Sequence, residues 1–281
     1  MKKNTYLLPI LRTAYESLTK SEKRIADCIS ADVTTFIGMG IAEIADRTDS
    51  SEITVNRFCK KLGFAGLQAL KLALASVPSE EVISEEGFAK EDSYQHIAEK
   101  IFQNIQNGLA DTLSLLDYDA VEEAVEALLA ARRIVVFGVG NSATICQDFE
   151  TRFLRFGSIV EAYSDVHQQA TVASLLSAED VVVAISHSGA TREVLDTTAI
   201  GKAAGATVIS ITSRMGSPLA KLSDIVLIGM GREVRYRSEA TASRLVHMAI
   251  IDILYTGIAL RRKDYAANIA KMRTVIRVRK Q

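Results

Sequence analysis

The hydrophobic and polar positions of this chain follow two patterns, one in its amino-terminal part and one in its carboxyl-terminal part. Up to residue 76 the apolar residues recur at helical spacing, and no run alternates between apolar and polar side chains. Farther along, short β-branched runs alternate with helical stretches. The strand-like runs are 133–140, 157–164, 180–189, 206–212 and 224–230, and the helical stretches include 94–131, 142–156, 191–205 and 238–260. Strands that are apolar on both faces and alternate with helices predict a parallel sheet covered by helices on both sides.

The segment between the two patterns, "VPSEEVISEEGFAKEDS" at 77–93, predicts a linker. It holds Pro78, Gly87 and six acidic residues against a single base, Lys90. Such a segment packs poorly and repels itself, although a solvated loop within one domain is the alternative. The predicted organisation is an all-α domain over 1–76, an acidic linker over 77–93, and an α/β domain over 94–281 that ends in a basic tail.

The composition is that of an ordinary globular protein, with 48% hydrophobic and 24% charged residues among 281. Three widely spaced cysteines without a C-x-x-C pattern argue against a disulfide framework or a zinc site and favour a reducing compartment. No apolar run approaches the ~18 residues that a membrane span requires. We therefore expect a cytoplasmic protein with no membrane partner and no cofactor.

The net charge of −1 hides two basic ends. Residues 1–76 carry eleven Lys and Arg against eight Asp and Glu, and residues 261–281 carry eight bases against one acid. The near-neutral total excludes a uniformly basic nucleic-acid coat. It leaves room for a local basic surface in the amino-terminal domain.

Residues 41–66, "IAEIADRTDSSEITVNRFCKKLGFAG", predict two short helices joined by a turn. The run Asp49-Ser50-Ser51 supplies turn residues and an N-cap, and Glu52 then complements the dipole of the second helix. That helix carries apolar residues at spacings i, i+3, i+4 and i+7, and Gly63 ends it. The residues predicted to be buried are Val55, Phe58, Cys59 and Leu62.

The opposite face of the second helix carries bases, which is the arrangement of a helix-turn-helix. This helix would lie in the major groove of double-stranded DNA with its amino end near the bases. The predicted DNA-binding residues are Ser51, Thr54 and Arg57 for base edges, Ile53 for a thymine methyl group, and Lys60 and Lys61 for phosphates. A solvated helix face without DNA contacts is the alternative.

Hydroxyl side chains follow the predicted strands at the points where the strands end. In a parallel sheet these loops meet at one edge, where ligands of α/β proteins bind. Four of the loops carry hydroxyl groups, namely 138–142, 164–167, 186–191 and 212–217. We call the third, Ser186-His187-Ser188-Gly189-Ala190-Thr191, the hydroxyl loop.

The hydroxyl loop predicts a site for a small phosphorylated molecule. A helix amino terminus offers unpaired N–H groups and partial positive charge, glycine permits close approach, and Ser and Thr add hydroxyl donors. Ser142, at the start of the first crossover helix, faces the same cavity. The predicted ligand-binding residues are Gly140, Asn141, Ser142, Ser186, His187, Ser188, Gly189 and Thr191. Ordinary helix N-caps without a ligand are the alternative.

A dinucleotide site is a rival hypothesis for the loop after the first strand. Gly138, Gly140 and Ala143 match the dinucleotide-binding fingerprint, and Glu161 stands roughly where a ribose-binding acid would lie. The fingerprint explains neither the hydroxyl loop nor the missing second half of a dinucleotide fold. It is therefore the weaker hypothesis.

The stretch "ITVNRFCKKLGFAGLQALKLALA" at 53–75 resembles the signature of the RpiR-type transcriptional regulators, and "LTKSEKRIADCI" at 18–29 resembles their preceding helix. The resemblance implies that Arg57 and Lys60 contact DNA. Ile53 and Asn56 depart from the signature, which affects the expected operator sequence more than the fold.

The second half carries its own resemblance. "SHSGATREV" is similar to the Ser-x-Ser-Gly-x-Thr motif of SIS (sugar isomerase) domains, and "GVGNSATICQDFETRFLRFG" is similar to their first loop and helix. "AYSDVHQQ" and "SEATASRLVHMAIIDIL" resemble later stretches of RpiR-type regulators. These segments imply a SIS domain that binds a phosphorylated sugar or sugar acid. Asn141 and Ala190 depart from the pattern, which blurs which sugar fits.

Some SIS domains isomerise sugar phosphates, which requires a base that moves a proton between adjacent carbons. The candidates are Glu239, His167, His187 and, more remotely, His247. Glu239 resembles the isomerases' base in position, but it can equally accept hydrogen bonds from sugar hydroxyls, so it joins the predicted effector-binding residues. An isomerase whose helical domain serves assembly is thus the alternative function.

The architecture favours a regulator without catalytic residues. An isomerase has no use for a helix-turn-helix on an acidic linker, whereas a sensor that controls DNA binding needs both parts. Symmetric half-sites require at least a dimer, and RpiR-type regulators are expected to form homodimers or homotetramers. The sequence thus predicts a cytoplasmic transcriptional regulator of sugar catabolism, in which a phosphosugar effector alters binding to operator DNA.

Overall fold

The structure is a computed structural model that describes residues 9–75, 91–231 and 241–278. These residues separate into two compact units, one that ends at Asp92 and one that starts at Ser93. Most of the predicted linker, 77–93, and the predicted ligand residue Glu239 lie outside the described residues. The predicted fold class, a helical domain followed by a parallel-sheet α/β domain, is confirmed.

The first unit is built from helices only in its described part. They are α1 (Pro9–Ala14), α2 (Lys20–Ala31), α3 (Val33–Gly38), α4 (Ile41–Arg47), α5 (Glu52–Lys61) and α6 (Leu67–Ala75). One buried cluster joins their apolar faces, and its fully buried members include Leu11, Ile25, Phe36, Ile44, Phe58 and Leu70. The four residues predicted to be buried on α5 all lie in this cluster. Helical periodicity therefore predicted the buried face of this helix correctly.

The second unit alternates strands with helices. Its helices are α7 (Tyr94–Leu115), α8 (Tyr118–Ala130), α9 (Asn141–Phe153), α10 (Val166–Ala173), α11 (Arg192–Ala203), α12 (Pro218–Leu222), α13 (Thr241–Arg261) and α14 (Tyr265–Val278). Its strands are β1 (Arg133–Phe137), β2 (Ile159–Tyr163), β3 (Asp180–Ile185), β4 (Thr207–Thr212) and β5 (Ile225–Ile228). The predicted helical stretch 94–131 is two helices, because Asp117 caps the start of α8.

The five strands form one parallel sheet in the order β2-β1-β3-β4-β5. Successive residues of the central strands belong to different clusters: Val181 and Val183 pack with α8, α9 and α13, whereas Val182 and Ala184 pack with α10, α11 and α12. All six residues of β3 are buried. The sheet is thus covered on both faces, as the two-faced apolar runs predicted.

The strand order determines where a ligand can enter. β1 pairs with β2 on one side and β3 on the other, so the helices after β1 and β3 leave the sheet in opposite directions. Such a switch point opens a crevice beyond the carboxyl ends of the two strands. The loop after β1 and the hydroxyl loop after β3 border this crevice.

Helix α13 is long and apolar enough to cross a bilayer. It also carries the buried residues Ile250, Leu254 and Ile258, which belong to the cluster under the sheet, and it contacts α7, α8 and α9. Core helices of globular proteins pass the same test of length and composition. This feature is therefore weak evidence for a membrane span.

Candidate functional site

The helix-turn-helix has the predicted geometry. Helix α4 ends at Arg47, four residues form the turn, and α5 starts at Glu52. The side chain of Arg24 on α2 braces the turn: its Nε donates to the carbonyl of Thr48 at 2.6 Å, and its guanidinium lies 3.2 Å from the carboxylate of Asp49. Sequence patterns did not reveal this brace, because Arg24 is distant in the sequence from the turn it holds.

Both ends of α5 carry the expected capping interactions. Ser51 Oγ accepts the N–H of Thr54 at 3.2 Å. At the other end Gly63 adopts φ +87°, and the N–H groups of Phe64 and Gly63 donate to the carbonyls of Cys59 and Lys60. This pair of bonds is a Schellman motif, which glycine at that position favours. Both ends of α5 are therefore fixed by capping interactions.

The outer face of α5 presents most of the predicted DNA-binding residues to solvent. Ile53 is 72% exposed. Ser51, Arg57 and Lys60 are exposed, and Thr54 is half-buried. Within the part of the chain that the structure describes, neither Arg57 nor Lys60 has an ionic partner. An exposed apolar side chain near the amino end of α5, followed by two bases without ionic partners, suits a DNA groove.

Lys61 differs from its predicted role as a phosphate contact. Its ammonium lies 2.8 Å from the carboxylate of Glu22 and donates to the carbonyl of Ser17, also at 2.8 Å. Glu22 is almost fully buried and completes a capping box with Thr19 at the start of α2. The ammonium of Lys61 is thus occupied within the unit, and we reassign this residue to stabilising the packing of α5 against α2.

Burial alone would raise the pKa of Glu22, but hydrogen bonds from Lys61 and Thr19 outweigh it and hold the pKa below its ordinary value. A lowered folded-state pKa stabilises the fold above the ordinary value of 4.5, and this contribution is lost as the pH falls through the lowered value. We expect Lys61→Met to lower the free energy of unfolding at neutral pH by about 1–2 kcal/mol. This loss is smaller than that for a fully buried ion pair, because Lys61 is partly exposed to solvent. Thermal and urea unfolding followed by circular dichroism would measure this loss.

The neighbouring Lys60→Met is the matched control, since Lys60 is exposed on the same helix. It should leave stability unchanged and weaken DNA binding, the reverse of Lys61→Met. Equal losses of DNA affinity in the two variants, without a loss of stability in Lys61→Met, would contradict the reassignment.

The hydroxyl loop is held by its own side chains. Ser186 Oγ lies 3.2 Å from Thr191 Oγ1 and accepts the N–H of Gly189 at 3.2 Å, and Ser188 Oγ accepts the N–H of Ala190 at 3.2 Å. Thr191 occupies the N-cap position of α11, but its side chain makes no capping bond. The first N–H groups of α11 therefore keep their capacity to donate to an anion.

Gly189 can only be glycine in this loop. It has φ +58°, and a Cβ there would lie 2.2 Å from Ser217 Oγ and 2.8 Å from Thr212 Oγ1. Its carbonyl accepts the N–H of Leu219 at 2.9 Å, which ties the loop to the start of α12. Backbone freedom and close packing both require the missing side chain.

The loop after β1 supplies the other wall of the crevice. Gly140 has φ +55° and stands at the N-cap of α9 without a side-chain cap, followed by exposed Asn141 and half-buried Ser142. A Cβ on Gly138 would lie 2.6 Å from Cys146 Sγ and 3.2 Å from the carbonyl of Ile185. The first glycine thus permits close packing of β1, β3 and α9.

A polar cluster links half-buried His187 of the hydroxyl loop to the buried residues Ser213 and His247. His187 Nδ1 is 2.9 Å from Ser213 Oγ, and Ser213 Oγ is 3.1 Å from His247 Nε2 on α13. Burial and the nearby His187 lower the pKa of His247 to about 4, so this imidazole is neutral at physiological pH. The sequence pattern identified both histidines as candidate bases and Ser213 as one hydroxyl of the loop after β4, but it did not predict that the three side chains meet.

The topology argues against the dinucleotide hypothesis. A dinucleotide fold places its third strand beyond the second, whereas here β3 lies on the other side of β1. Glu161 lies within β2, opposite Val135, rather than at the strand's end. The close packing of α9 explains Gly138, and the positive φ at the N-cap of α9 explains Gly140.

A pocket of about 250 Å³ opens between α9 and β2. Its polar lining residues are Thr144, Gln147, Tyr163 and Ser164, and it includes no residue of the hydroxyl loop. It therefore offers a phosphate neither a basic side chain nor the amino terminus of α11.

Comparison with known proteins identifies both units. The family model "Helix-turn-helix domain, rpiR family" matches residues 5–81, and the model "SIS domain" matches residues 127–257. An uncharacterized HTH-type transcriptional regulator of Caldanaerobacter subterraneus subsp. tengcongensis is 34% identical over 278 residues, which cover 98% of this chain and 99% of that protein. The chain belongs to the rpiR family of transcriptional regulators.

Other relatives of this rpiR-family chain extend the comparison. The bifunctional protein glk of Paraburkholderia xenovorans is 36% identical over 93% of this chain, which spans only 41% of that protein. The Vibrio vulnificus NanR protein complexed with ManNAc-6P is 27% identical with a TM-score of 0.62, covering 96% of this chain and 98% of that one. A putative phosphosugar isomerase from Bacteroides fragilis is 25% identical with a TM-score of 0.56, covering 63% and 97%.

These findings confirm the predicted family and the general function. The rpiR-family chain is a DNA-binding regulator whose SIS domain senses a sugar phosphate.

Proposed function

We propose that a phosphorylated sugar or sugar acid binds at the hydroxyl loop, and that its binding alters the affinity of α5 for operator DNA. The observation that carries this proposal is the uncapped start of α11 beside three hydroxyl groups, at the crevice between β1 and β3. The phosphate would accept hydrogen bonds from the first N–H groups of α11 and from Ser186, Ser188 and Thr191. No lysine is needed, because the helix dipole and the N–H groups supply the positive potential.

The remaining predicted residues would hold the sugar. Gly140, Asn141 and Ser142 at the start of α9 face the crevice from the other strand, and His187 lies inside the hydroxyl loop. Glu239, a further proposed ligand of sugar hydroxyls, stands outside the described residues. The full-length similarity to NanR, whose structure holds ManNAc-6P, supports a hexose-sized phosphosugar.

We propose further that the SIS unit is not an isomerase. His247 is fully buried and is bonded to Ser213 and to the carbonyl of Gly229, so it cannot reach a sugar carbon. The Nδ1 atom of His187 is likewise engaged by Ser213. The likeness to the putative isomerase from Bacteroides fragilis keeps isomerisation as the second candidate, with Glu239 as its base.

We propose a cytoplasmic homodimer or homotetramer. Palindromic half-sites match a protein with two-fold symmetry. Large apolar side chains are exposed along one face of each of two helices, Phe102, Leu109 and Leu113 on α7 and Leu245, Ile253 and Leu260 on α13. The residues on α7 are seven and four positions apart, and those on α13 are eight and seven positions apart. Each set therefore lies along one face of its helix, which suits a contact between subunits.

The test is fluorescence anisotropy on DNA from upstream of the chain's own gene and its neighbours. Titrations would run with and without ManNAc-6P, other hexose phosphates, pentose phosphates and phosphorylated sugar acids, at several salt concentrations. We expect sequence-specific binding that falls steeply with salt and is shifted by one of these compounds. Conversion of an aldose phosphate to a ketose phosphate, with no specific DNA binding, would instead establish the isomerase.

A further inference from the structure

The hydroxyl loop is fastened to Ser213 through both its backbone and a side chain. The carbonyl of His187 accepts the N–H of Ser213 at 3.1 Å, and His187 Nδ1 lies 2.9 Å from Ser213 Oγ. Ser213 is buried just beyond the end of β4. A shift of the loop therefore pulls on Ser213 through two bonds.

Ser213 in turn contacts the residue that follows β5 and a residue of α13. Its Oγ donates to the carbonyl of Gly229 at 2.5 Å, and the same carbonyl lies 3.0 Å from His247 Nε2. Since a carbonyl only accepts, Nε2 of His247 carries the proton, and Ser213 Oγ is left to accept from His187. The donor and acceptor in each of these bonds therefore follow from those in the bond before it.

The next residue along the chain reaches α7. Met230 donates its N–H to Thr112 Oγ1 at 3.0 Å and accepts the Thr112 hydroxyl at its carbonyl, at 3.3 Å. Thr112 and Met230 are both buried. A single threonine hydroxyl thus satisfies both backbone groups of one residue.

The segment from Gly229 to Gly231 packs closely against α13. A Cβ on Gly229 would lie 2.8 Å from the His247 ring, and one on Gly231 would lie 2.1 Å from the backbone nitrogen of Ser243. We expect a displacement of this segment to be passed on to α7, which it contacts through Thr112, and to α13, because close-packed interiors transmit strain.

Helix α7 can carry such a displacement over a long distance. Its 22 residues span about 33 Å. Its buried residues, Gly108, Asp111 and Thr112, all lie in its second half, whereas Ser93 caps its start at the first residue of the second unit. The end of α7 that joins the predicted linker is thus the less anchored one.

We propose that the bonds of Ser213 and His247 to the carbonyl of Gly229, continued along the backbone to Met230 and its two bonds to Thr112, form a route that transmits occupancy of the hydroxyl loop to α7, whose start adjoins the predicted linker in the sequence. This inference rests on the proposed function, and it names the route by which the effector site regulates DNA binding. Ser213 and Thr112 are positioning residues: Ser213 acts on the loop through His187, and Thr112 acts on α7.

The experiment measures three quantities in the full chain: operator affinity without effector, affinity for the panel compound that shifts wild-type operator binding most, and the ratio of operator affinities with and without that compound. Allosteric ratios are typically about 5- to 150-fold. We expect Ser213→Ala and Thr112→Val to bring the ratio close to one. Operator affinity without effector should stay within about three-fold of wild type in both variants, and affinity for the compound should do so in Thr112→Val, since Thr112 contacts neither the hydroxyl loop nor the proposed DNA-binding residues.

Two matched controls remove buried hydroxyls that make no hydrogen bond among the described residues. The first control is Ser210→Ala, at a residue of β4 near Ser213, and the second is Thr198→Val, at a residue of α11. Both should keep the wild-type ratio. Thr112→Ser, which retains the hydroxyl, should also keep it, and Ser213→Ala decides the question if Thr112→Val fails to fold.

Wild-type ratios in both Ser213→Ala and Thr112→Val would overturn the route while leaving the proposed function intact. A wild-type chain that binds operator but responds to no compound would overturn both, and the two failures are therefore distinguishable.

Discussion

Arg57→Ala is expected to reduce specific operator binding by about 10- to 100-fold, or roughly 1–3 kcal/mol, which is the value of one well-placed contact between a side chain and a base. Arg57 lies on the outer face of α5, is exposed, and has no ionic partner among the described residues. Its removal should therefore cost DNA affinity without costing stability. Anisotropy with the operator and with a scrambled duplex would separate specific from non-specific binding.

Arg57→Lys is the matched control for charge, because lysine keeps the positive charge but cannot form the two parallel hydrogen bonds of a guanidinium. It should preserve non-specific binding and its salt dependence while losing specificity. Lys60→Ala should act differently, by weakening all duplexes equally and lowering the salt slope by about one. If Arg57→Ala weakened operator and scrambled DNA by the same factor, Arg57 would be a phosphate contact rather than a base contact.

The amino-terminal unit shows what helical periodicity can and cannot predict. The buried face of α5 and its end at Gly63 were predictable, because spacing and capping are local properties. The role of Lys61 was not, since a helical wheel places it outside without revealing Glu22, 39 residues earlier in the sequence. The role of Arg24 on α2 was not predictable for the same reason, because its partners lie in the turn between α4 and α5.

The α/β unit was predictable to a similar depth. Two-faced apolar runs predicted a parallel sheet, and the edge at which its loops gather follows from that topology alone. The strand order and the links from His187 through Ser213 to His247 are tertiary. Nothing in the sequence near Ser213 indicates that β4, β5 and α13 meet there. The hydroxyl loop could thus be predicted, but not the polar cluster that links it to Ser213 and His247.

The second large effect concerns the phosphate. We expect Ser188→Asp to weaken effector binding by about 100-fold or more, because like charges placed together cost several kcal/mol. The hydroxyl of Ser188 accepts the N–H of Ala190, and an aspartate can accept the same bond, so the loop should keep its shape. Isothermal titration calorimetry with the effector, followed by anisotropy on the operator, would measure both consequences. The variant should bind operator as the effector-free wild type does, at every effector concentration.

Ser188→Asn isolates charge from shape, since its amide oxygen can accept the N–H of Ala190 without adding charge. If a phosphate binds at the start of α11, Ser188→Asn should bind the effector far more tightly than Ser188→Asp. If the two variants bound it equally, the anionic group would lie elsewhere in the crevice, and the loop after β1 would become the stronger candidate. The comparison therefore locates the phosphate through charge alone, whether or not either variant changes the response of operator binding.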